Sequence, residues 1–178
     1  MFFERFSSEC DGDSLKKKAT ALSVLAGEIW REHYIPIIGA EQVEYMLEKF
    51  QSPQQIFSDI KENDYIYFTA NCGESGRMTG YSAVQPRGDH LFLSKIYVCS
   101  DYRGRGIARS FLNEAYSLCC RVYDFDRIRL TVNKNNSMAI SVYKQAGFEV
   151  VDEVKVDIGG GFFMDDYVME RKHIEMIS

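Results

Sequence analysis

The chain has 178 residues, of which 46% are hydrophobic and 26% are charged, so it is long enough to bury the core of one domain and has the composition of a soluble globular protein. Its formal net charge of −5 argues against broad binding to nucleic acids or to anionic membrane surfaces. No stretch approaches the roughly 20 apolar residues of a membrane span, and the opening residues lack the apolar core of a signal peptide. We therefore expect a single cytoplasmic domain that covers residues 1–178, with no nucleic acid and no membrane among its partners.

The five cysteines argue against a metal or redox site. Their number is odd, and no pair has the C-x-x-C spacing that zinc and redox sites use. We expect buried thiols and no metal. The cysteines are Cys10, Cys72, Cys99, Cys119 and Cys120.

Three helices are predicted in the first third of the chain. Ser14 can cap the first helix, which runs to about Tyr34 and carries apolar residues near helical spacing. The second helix, AEQVEYMLEKF, follows Gly39, and the third begins at Pro53, which suits the first turn of a helix. The apolar face of the first helix comprises Leu15, Ala19, Leu22, Leu25, Ala26, Ile29 and Trp30.

The sequence then turns to strand patterns. DYIYFTA and MTGYSAVQ flank the turn sequence CGESG and predict a hairpin, and HLFLSKIYV predicts a further strand. From Gly104 the apolar spacing becomes helical. The apolar face of that helix comprises Ile107, Phe111, Ala115, Leu118 or Cys119, and Val122.

The last third of the chain contains a strand, a helix and two more strands. RIRLTV predicts the strand, Asn136 can cap a helix through Ala146, and Gly147 supplies its terminating residue. The closing strands, which flank DIGGG, are FEVVDEVKV and FFMDDYVMER. This order predicts an α/β fold with a mixed sheet, in which the strand–helix–strand unit is parallel.

One stretch, SDYRGRGIARSFL, places a glycine-bearing turn between a strand and the start of a helix. The first backbone N–H groups of a helix lack partners within the helix and attract anions. Gly104 and Gly106 would let a phosphate approach the backbone, and Arg103 and Arg105 could add charge-assisted hydrogen bonds. The spacing matches neither the Walker loop nor the G-x-G-x-x-G fingerprint. Taken alone, the stretch is equally compatible with a charged surface loop.

Two longer blocks resolve this ambiguity. LSKIYVCSDYRGRGIARSFLNEAY resembles the acetyl-CoA-binding core of the GCN5-related N-acetyltransferase (GNAT) family, whose signature is R/Q-x-x-G-x-G/A. Arg103, Gly106 and Ala108 fill its three defined positions. The second block, LTVNKNNSMAISVYKQAGFEV, is similar to the family's later strand–helix–strand signature. Its matching residues are Asn136, Ala139, Tyr143, Gly147 and Phe148.

The resemblance implies a mixed, mostly antiparallel sheet with a central splayed parallel strand pair, flanked by helices. It also implies that acetyl-CoA is the cosubstrate. Backbone amides of the turn would hold the pyrophosphate, the end of the preceding strand would pair with the pantetheine arm, and a backbone N–H near Val98 would face the thioester carbonyl. The turn residues are Arg103, Gly104, Arg105, Gly106, Ile107 and Ala108, and the strand residues are Ile96, Tyr97 and Val98.

The resemblance suggests an acid for the reaction but no base. Tyr143 lies where similar enzymes place a tyrosine that protonates the departing thiolate, with core packing as the alternative. Asn136 can cap its helix, contact the cofactor, or do both. Many relatives carry a glutamate base six residues before the valine that matches Val98, whereas Phe92 stands at that position here.

Acceptor contacts are expected from the N-terminal helices and the late strands. The first helix concentrates Glu28, Trp30, His33 and Tyr34, although helix packing also explains its aromatic residues and its histidine. The late acids suit a cationic amine, yet acids near a sheet edge also serve solubility. DIGGG is either a loop over the acceptor site or a hairpin turn. The late acids are Asp157, Asp165, Asp166 and Glu170.

The resemblance implies an N-acetyltransferase in which a primary amine attacks acetyl-CoA directly in a ternary complex. No cysteine sits where a covalent acetyl intermediate requires one. The acidic balance favours a small cationic amine such as a polyamine as the acceptor. A protein N-terminal or lysine acetyltransferase is the enzymatic alternative, and a non-catalytic acyl-CoA-binding regulatory protein, favoured by Phe92, is the alternative of another class. The resemblance also admits a homodimer, because late strands in this family often pair between subunits.

Overall fold

The computed structural model describes residues 1–73 and 75–172, which form helices and strands in a mixed order. The helices are α1 (Gly12–Ile38), α2 (Ala40–Gln51), α3 (Pro53–Glu62), α4 (Ile107–Arg121) and α5 (Ser137–Gln145). The strands are β1 (Phe2–Phe6), β2 (Ile66–Asn71), β3 (Met78–Arg87), β4 (His90–Val98), β5 (Arg127–Asn133), β6 (Glu149–Gly159) and β7 (Phe162–Lys172). The strands form one sheet in the order β1-β2-β3-β4-β5-β7-β6.

The chain divides into two compact units, and β4 contributes to both. The first unit comprises Met1–Gln85 and Lys95–Leu112, and the second comprises Pro86–Ser94 and the described residues from Asn113 onward. The first unit therefore holds the last part of β4 and the turn before α4. The second unit holds the beginning of β4 together with β5, α5, β6 and β7.

In the first unit, β1, β2 and β3 pair antiparallel and α1 packs against α2 and α3. Every residue of the predicted apolar face of α1 is buried. Strand β1 was not predicted, because FFERF offers only five positions and buries only Phe6. Its partner β2 is instead buried at all six positions, which explains why the DYIYFTA pattern was recognisable.

In the second unit, β4 and β5 form the parallel pair of the predicted fold. Their ladder joins Leu91–Leu93 to Ile128–Leu130, while β5 continues to Asn133 and β4 to Val98. β7 pairs antiparallel with β5 on one side and β6 on the other. The mostly antiparallel sheet, with one parallel pair and flanking helices, is confirmed.

Three details of the helices differ from the sequence prediction. The N-cap of α1 is Asp11, whose carboxylate accepts a hydrogen bond from the Ser14 N–H at 2.9 Å, so Ser14 is not the cap. The same helix runs through Pro36 to Ile38, beyond the predicted end. Val122 does not belong to the apolar face of α4, because the helix ends at Arg121 and the Val122 side chain is 60% exposed.

The DIGGG stretch is a tight hairpin turn between β6 and β7. Gly160 and Gly161 connect the strands with φ of 63° and 81°, the left-handed values that a two-residue turn with right-handed twist requires. The five cysteines are free, but only Cys119 is buried, so the expectation of buried thiols holds for that residue alone. Within the described ranges, no helix has both the length and the apolar character needed to cross a membrane.

Candidate active site

The turn predicted to hold a pyrophosphate joins β4 to α4 within the first unit. A short 3-10 helix, Ser100–Tyr102, follows β4, and α4 begins at Ile107. Gly104 and Gly106 have φ of 75° and 79°, in the left-handed region that glycine tolerates best. A Cβ added at either glycine would meet no protein atom within 4 Å. The protein therefore leaves open space beside the backbone at both positions.

Gly106 is the N-cap of α4. Its carbonyl accepts the first helical hydrogen bond, from the Ser110 N–H at 2.9 Å. The N–H groups of Ile107, Ala108 and Arg109 therefore have no partner inside the helix, and the helix dipole adds partial positive charge at this point. This arrangement is suited to an anion.

The two arginines of the turn bind the backbone of the protein itself. Arg103 Nε donates to the Val98 carbonyl at 3.1 Å, and Arg105 Nη2 donates to the Asp101 carbonyl at 3.0 Å. The Arg105 guanidinium also lies 4.9 Å from the centre of the Tyr102 ring. A guanidinium has five N–H donors, so each arginine can hold the shape of the turn and still donate to a phosphate.

The end of β4 lies tightly against β3. The Cys99 N–H donates to the Thr79 carbonyl at 2.9 Å, and a Cβ on Gly80 would come within 2.7 Å of the Tyr97 carbonyl. Gly80 is thus required for the close approach of the two backbones. Sequence reasoning missed it, although a glycine inside a strand pattern signals such an approach.

A buried ion pair attaches β4 to α3 directly before the predicted pantetheine strand. Lys95 Nζ lies 3.0 Å from Asp59 Oδ2 and 2.6 Å from the Tyr67 hydroxyl. The Tyr67 hydroxyl and Gln55 Nε2 also donate to the Asp59 carboxylate, at 3.0 and 2.8 Å. Burial lowers the pKa of Lys95, and the Asp59 charge opposes that effect. Sequence reasoning missed this network, whose signal was a lysine within the apolar strand HLFLSKIYV.

Aromatic rings from two elements, α1 and β3, pack around the side chain of Tyr97. The ring centre of Tyr97 lies 5.5 Å from that of Trp30, 6.2 Å from that of Tyr34 and 5.2 Å from that of Tyr81. We call these four residues the Tyr97 cluster. The His33 ring lies edge-on to the Tyr34 ring, with the two ring centres 4.8 Å apart.

Tyr143 and Asn136 belong to the second unit, whereas the turn and the end of β4 belong to the first. The Asn136 carboxamide accepts from the Ala139 N–H at 3.2 Å, which confirms its capping role. Tyr143 is buried and packs edge-on against Phe148, with ring centres 5.8 Å apart. The packing role of Tyr143 is thus seen, and its acid role stays a prediction.

Phe92 stands at the position where relatives carry a base. The Arg87 guanidinium lies 3.8 Å from the centre of its ring.

Three of the four late acids bind groups of their own unit. Glu170 Oε2 lies 2.5 Å from Arg129 Nε, and Asp165 Oδ1 lies 2.7 Å from Lys134 Nζ. Asp157 accepts a hydrogen bond from the Gly159 N–H at 2.8 Å. These contacts favour structural roles for the three acids.

Asp166 is the remaining late acid and has an unusual environment. It is 8% exposed and lies opposite Asn133 of β5 and Val154 of β6. Burial and the neighbouring Asp165 charge raise its pKa to about 6, while a hydrogen bond from Thr131 and the Lys134 charge oppose that rise.

Comparison with known proteins identifies the class of this chain. Residues 28–148 match the family model described as the acetyltransferase (GNAT) family. Because this match covers more than half of the sequence, the chain belongs to the GNAT family of acetyltransferases, as its two motifs predicted. The predicted enzyme class, an acyltransferase, is the class of this family.

The individual relatives differ in how much of their length is matched. The L-amino acid N-acetyltransferase AaaT of Escherichia coli is 35% identical over 97 residues, which are 54% of this chain and 60% of that protein. A spermidine N(1)-acetyltransferase of Thermoplasma acidophilum is 24% identical over 163 residues, covering 90% of this chain and 94% of that one. The crystal structure of the PaiA N-acetyltransferase of Thermoplasma acidophilum in complex with coenzyme A superposes with a TM-score of 0.74 at 22% identity, over 97% of this chain and 99% of that one.

Proposed function

We propose that residues 1–178 act as a single acetyltransferase domain that moves an acetyl group from acetyl-CoA to a primary amine. In this proposal the amine attacks the thioester directly in a ternary complex, and the acceptor is a small cationic amine such as a polyamine. The likeness to a spermidine acetyltransferase over 90% of the chain supports this acceptor class. The PaiA structure, which contains coenzyme A, supports the cosubstrate.

The observation that carries the proposal is the turn at the start of α4. Gly104 and Gly106 leave space beside a backbone whose next three N–H groups have no helical partners. We assign the pyrophosphate of acetyl-CoA to the amides of residues 103–108. We assign the pantetheine arm to the backbone of residues 96–98, where β4 ends.

The chemistry requires a stabilised oxyanion and a protonated leaving group. Attack of the neutral amine on the thioester carbonyl forms a carbon–nitrogen bond and places negative charge on the carbonyl oxygen. A backbone N–H near Val98 stabilises that charge. The carbon–sulfur bond then breaks, and the Tyr143 hydroxyl gives its proton to the coenzyme A thiolate. The proton that the amine nitrogen loses passes to water, and water returns a proton to Tyr143. Asn136, besides capping α5, contacts the cofactor.

A panel of amines tests the proposal. Purified protein is mixed with acetyl-CoA and, separately, with spermidine, 1,3-diaminopropane, L-amino acids, a peptide with a free N-terminus and a lysine peptide, and the release of free thiol is recorded. We expect the highest kcat/KM with the polyamines. The highest value with a peptide would assign the chain to the protein acetyltransferases, and coenzyme A binding without turnover of any amine would support the regulatory alternative.

A further inference from the structure

The ammonium group of Lys95 on β4 is held by side chains of α3 and β2. Its Nζ lies 3.0 Å from Asp59 Oδ2 and 2.6 Å from the Tyr67 hydroxyl, and it lies 5.2 Å from the ring centre of Tyr65. The Tyr67 hydroxyl donates to the same Asp59 oxygen at 3.0 Å, and Gln55 Nε2 donates to the other at 2.8 Å. We call Gln55, Asp59, Tyr67 and Lys95 the Lys95 network.

Stability alone does not explain a pair of charges at this depth. Lys95 and Asp59 are 7% and 6% exposed, and Tyr67 is fully buried. Replacing a buried ion pair by apolar side chains of similar size is often neutral or stabilising, because charges lose their hydration when they are buried. Directional hydrogen bonds between charged groups instead favour one position of the chain segments that carry them.

Lys95 stands directly before the backbone that we assign to the pantetheine arm. The parallel ladder between β4 and β5 comprises Leu91–Leu93, and residues 96–98 lie beyond it. At the far end of this stretch, the Cys99 N–H donates to the Thr79 carbonyl at 2.9 Å. Lys95, residues 96–98, α3 and β2 all belong to the first unit. The network therefore fixes β4 one residue before the proposed binding backbone begins.

The Tyr97 cluster also contacts this stretch, but its contacts are less directional. The ring centres lie 5.2 to 6.2 Å from that of Tyr97, and apolar contacts between rings change little when one ring shifts by roughly 0.5 Å. Hydrogen bonds of 2.6 and 3.0 Å weaken steeply with such a shift, because their strength depends on both distance and angle. The Lys95 network is thus the sharper constraint on the position of Val98.

We propose that Lys95 is a positioning residue for acetyl transfer: held by Asp59 and Tyr67, it sets the backbone of residues 96–98 so that the Val98 N–H meets the oxyanion. This role rests on the proposed function, which assigns the oxyanion and the pantetheine arm to that backbone. Lys95 itself touches neither substrate nor cofactor. A misplacement of about 1 Å lowers a reaction rate by about 100-fold, so a small movement of β4 has a large effect.

The first test separates position from stability. The double variant Lys95→Met/Asp59→Leu leaves no buried charge without a partner and should regain part of the stability that Lys95→Met loses. Both variants lack the directional bonds, so kcat should be about 10-fold to 100-fold below that of the wild type in both. Thiol release at saturating acetyl-CoA, with the best amine of the panel, measures kcat, and urea denaturation measures stability. A kcat that recovers together with the stability would leave Lys95 a structural role alone.

Tyr67→Phe tests the network without removing a charge. It deletes the hydroxyl that lies between Lys95 and Asp59 and keeps the ring. One hydrogen bond is lost at each neighbour while the ion pair remains, so kcat should fall by only about twofold to tenfold.

Leu22→Ala is the control for lost stability. Leu22 is fully buried in α1 and belongs to its apolar face, so its truncation lowers the free energy of unfolding by removing packing. At a temperature at which all variants are folded, Leu22→Ala should have the kcat of the wild type. A fall in kcat as large as that of the double variant would show that lost stability explains both.

The second test needs no turnover. Coenzyme A and 3′-phospho-ADP share the pyrophosphate, but only coenzyme A carries the pantetheine arm. By calorimetry, the double variant should bind coenzyme A about threefold to tenfold more weakly than the wild type, the equivalent of one hydrogen bond. It should bind 3′-phospho-ADP as the wild type does, because the turn at residues 103–108 is unchanged.

The outcomes separate this proposal from the proposed function. If the double variant loses affinity for coenzyme A alone, but the wild type acetylates no amine, the positioning of the pantetheine strand stands and the enzymatic function is overturned. If the wild type is active and the double variant matches its kcat and its affinity for coenzyme A, the function stands and the positioning role is overturned. Equal weakening of coenzyme A and 3′-phospho-ADP also overturns that role. A wild-type protein that does not bind coenzyme A would overturn both.

Discussion

Gly106 has a backbone conformation that favours glycine and open space where a side chain would project. Gly106→Glu should therefore still fold, with its free energy of unfolding lowered by about 1 kcal/mol because position 106 has a positive φ. It should also weaken coenzyme A binding by roughly tenfold or more, because a carboxylate would stand beside the pyrophosphate. Isothermal calorimetry with coenzyme A measures the affinity.

Gly88 supplies the matched control for this substitution. It has φ of 55°, and its Cβ would also meet no protein atom within 4 Å, but it lies in the turn between β3 and β4. Gly88→Glu introduces the same charge and similar backbone strain and should leave coenzyme A affinity unchanged. Normal affinity in Gly106→Glu would contradict the pyrophosphate assignment.

Tyr143 can lose its hydroxyl while its ring keeps the contact with Phe148. Tyr143→Phe should lower kcat by roughly 100-fold, the lower range for a lost general acid, with nearly unchanged coenzyme A affinity. Thiol release at saturating substrates measures the effect. Tyr116→Phe is the control, because it removes the hydroxyl of another buried tyrosine, on α4, to which we assign no part in the reaction. Equal kcat in the two variants would exclude the acid role.

At the scale of elements, the Lys95–Asp59 pair attaches β4 to α3. Lys95→Met should lower the free energy of unfolding by about 3–5 kcal/mol, because it leaves the Asp59 carboxylate buried without its cation. Adding Asp59→Leu should restore part of this loss. Urea denaturation measures both variants.

The exposed pair between Arg31 and Glu44, with Nε and Oε1 2.6 Å apart, is the reference for this measurement. Arg31→Met should cost at most about 1 kcal/mol, because water screens exposed charges. If Lys95→Met lowers the free energy of unfolding no more than Arg31→Met does, the buried pair is not what anchors β4.

The burial of Asp166 in β7 makes the free energy of unfolding depend on pH. Its pKa is 3.8 in the unfolded chain and about 6 in the folded protein, so the folded state binds the extra proton between these values. The contribution of Asp166 to stability is therefore full below pH 3.8 and is lost as the pH rises through 6. Between pH 4 and pH 7, the free energy of unfolding of the wild-type protein should fall by about 1–3 kcal/mol relative to that of Asp166→Asn. Parallel urea-denaturation profiles of the two proteins would contradict this.

Elements with a strong local pattern were predictable, and those defined by distant partners were not. HLFLSKIYV corresponds to β4 at both ends, since alternation along a strand is visible in sequence. β1 depends on its pairing with β2. The cap of α1 depends on whether the helix begins after Asp11 or after Ser14, since either side chain can accept a hydrogen bond from the first turn. Neither choice is written in the local sequence.

The same distinction separates the two halves of the candidate site. The phosphate turn is contiguous, and its glycines, arginines and helix start lie within a few residues of one another. The Tyr97 cluster joins Trp30 and Tyr34 of α1 to Tyr81 of β3 and Tyr97 of β4. Only the antiparallel arrangement of β3 and β4 and the packing of α1 bring these rings together, so sequence reasoning named two of the four for the acceptor.

At the scale of the whole molecule, β6 has a consequence for behaviour in concentrated solution. It is the last strand of the sheet, most of its 11 residues are exposed, and Val150, Val151 and Val156 are each at least 41% exposed. An open edge with exposed valines is a template for aggregation, which charged residues oppose. The charged residues of β6 are Glu149, Asp152, Glu153, Lys155 and Asp157.

We therefore expect part of the protein's acidity to oppose aggregation at β6 rather than to attract substrate. Glu149→Gln combined with Asp152→Asn should increase light scattering during prolonged incubation, whereas Glu9→Gln should not. Unchanged scattering in the double variant would remove this role from the β6 charges. By the same electrostatics, salt that screens these charges should shorten the time for which the wild-type protein stays clear at high concentration.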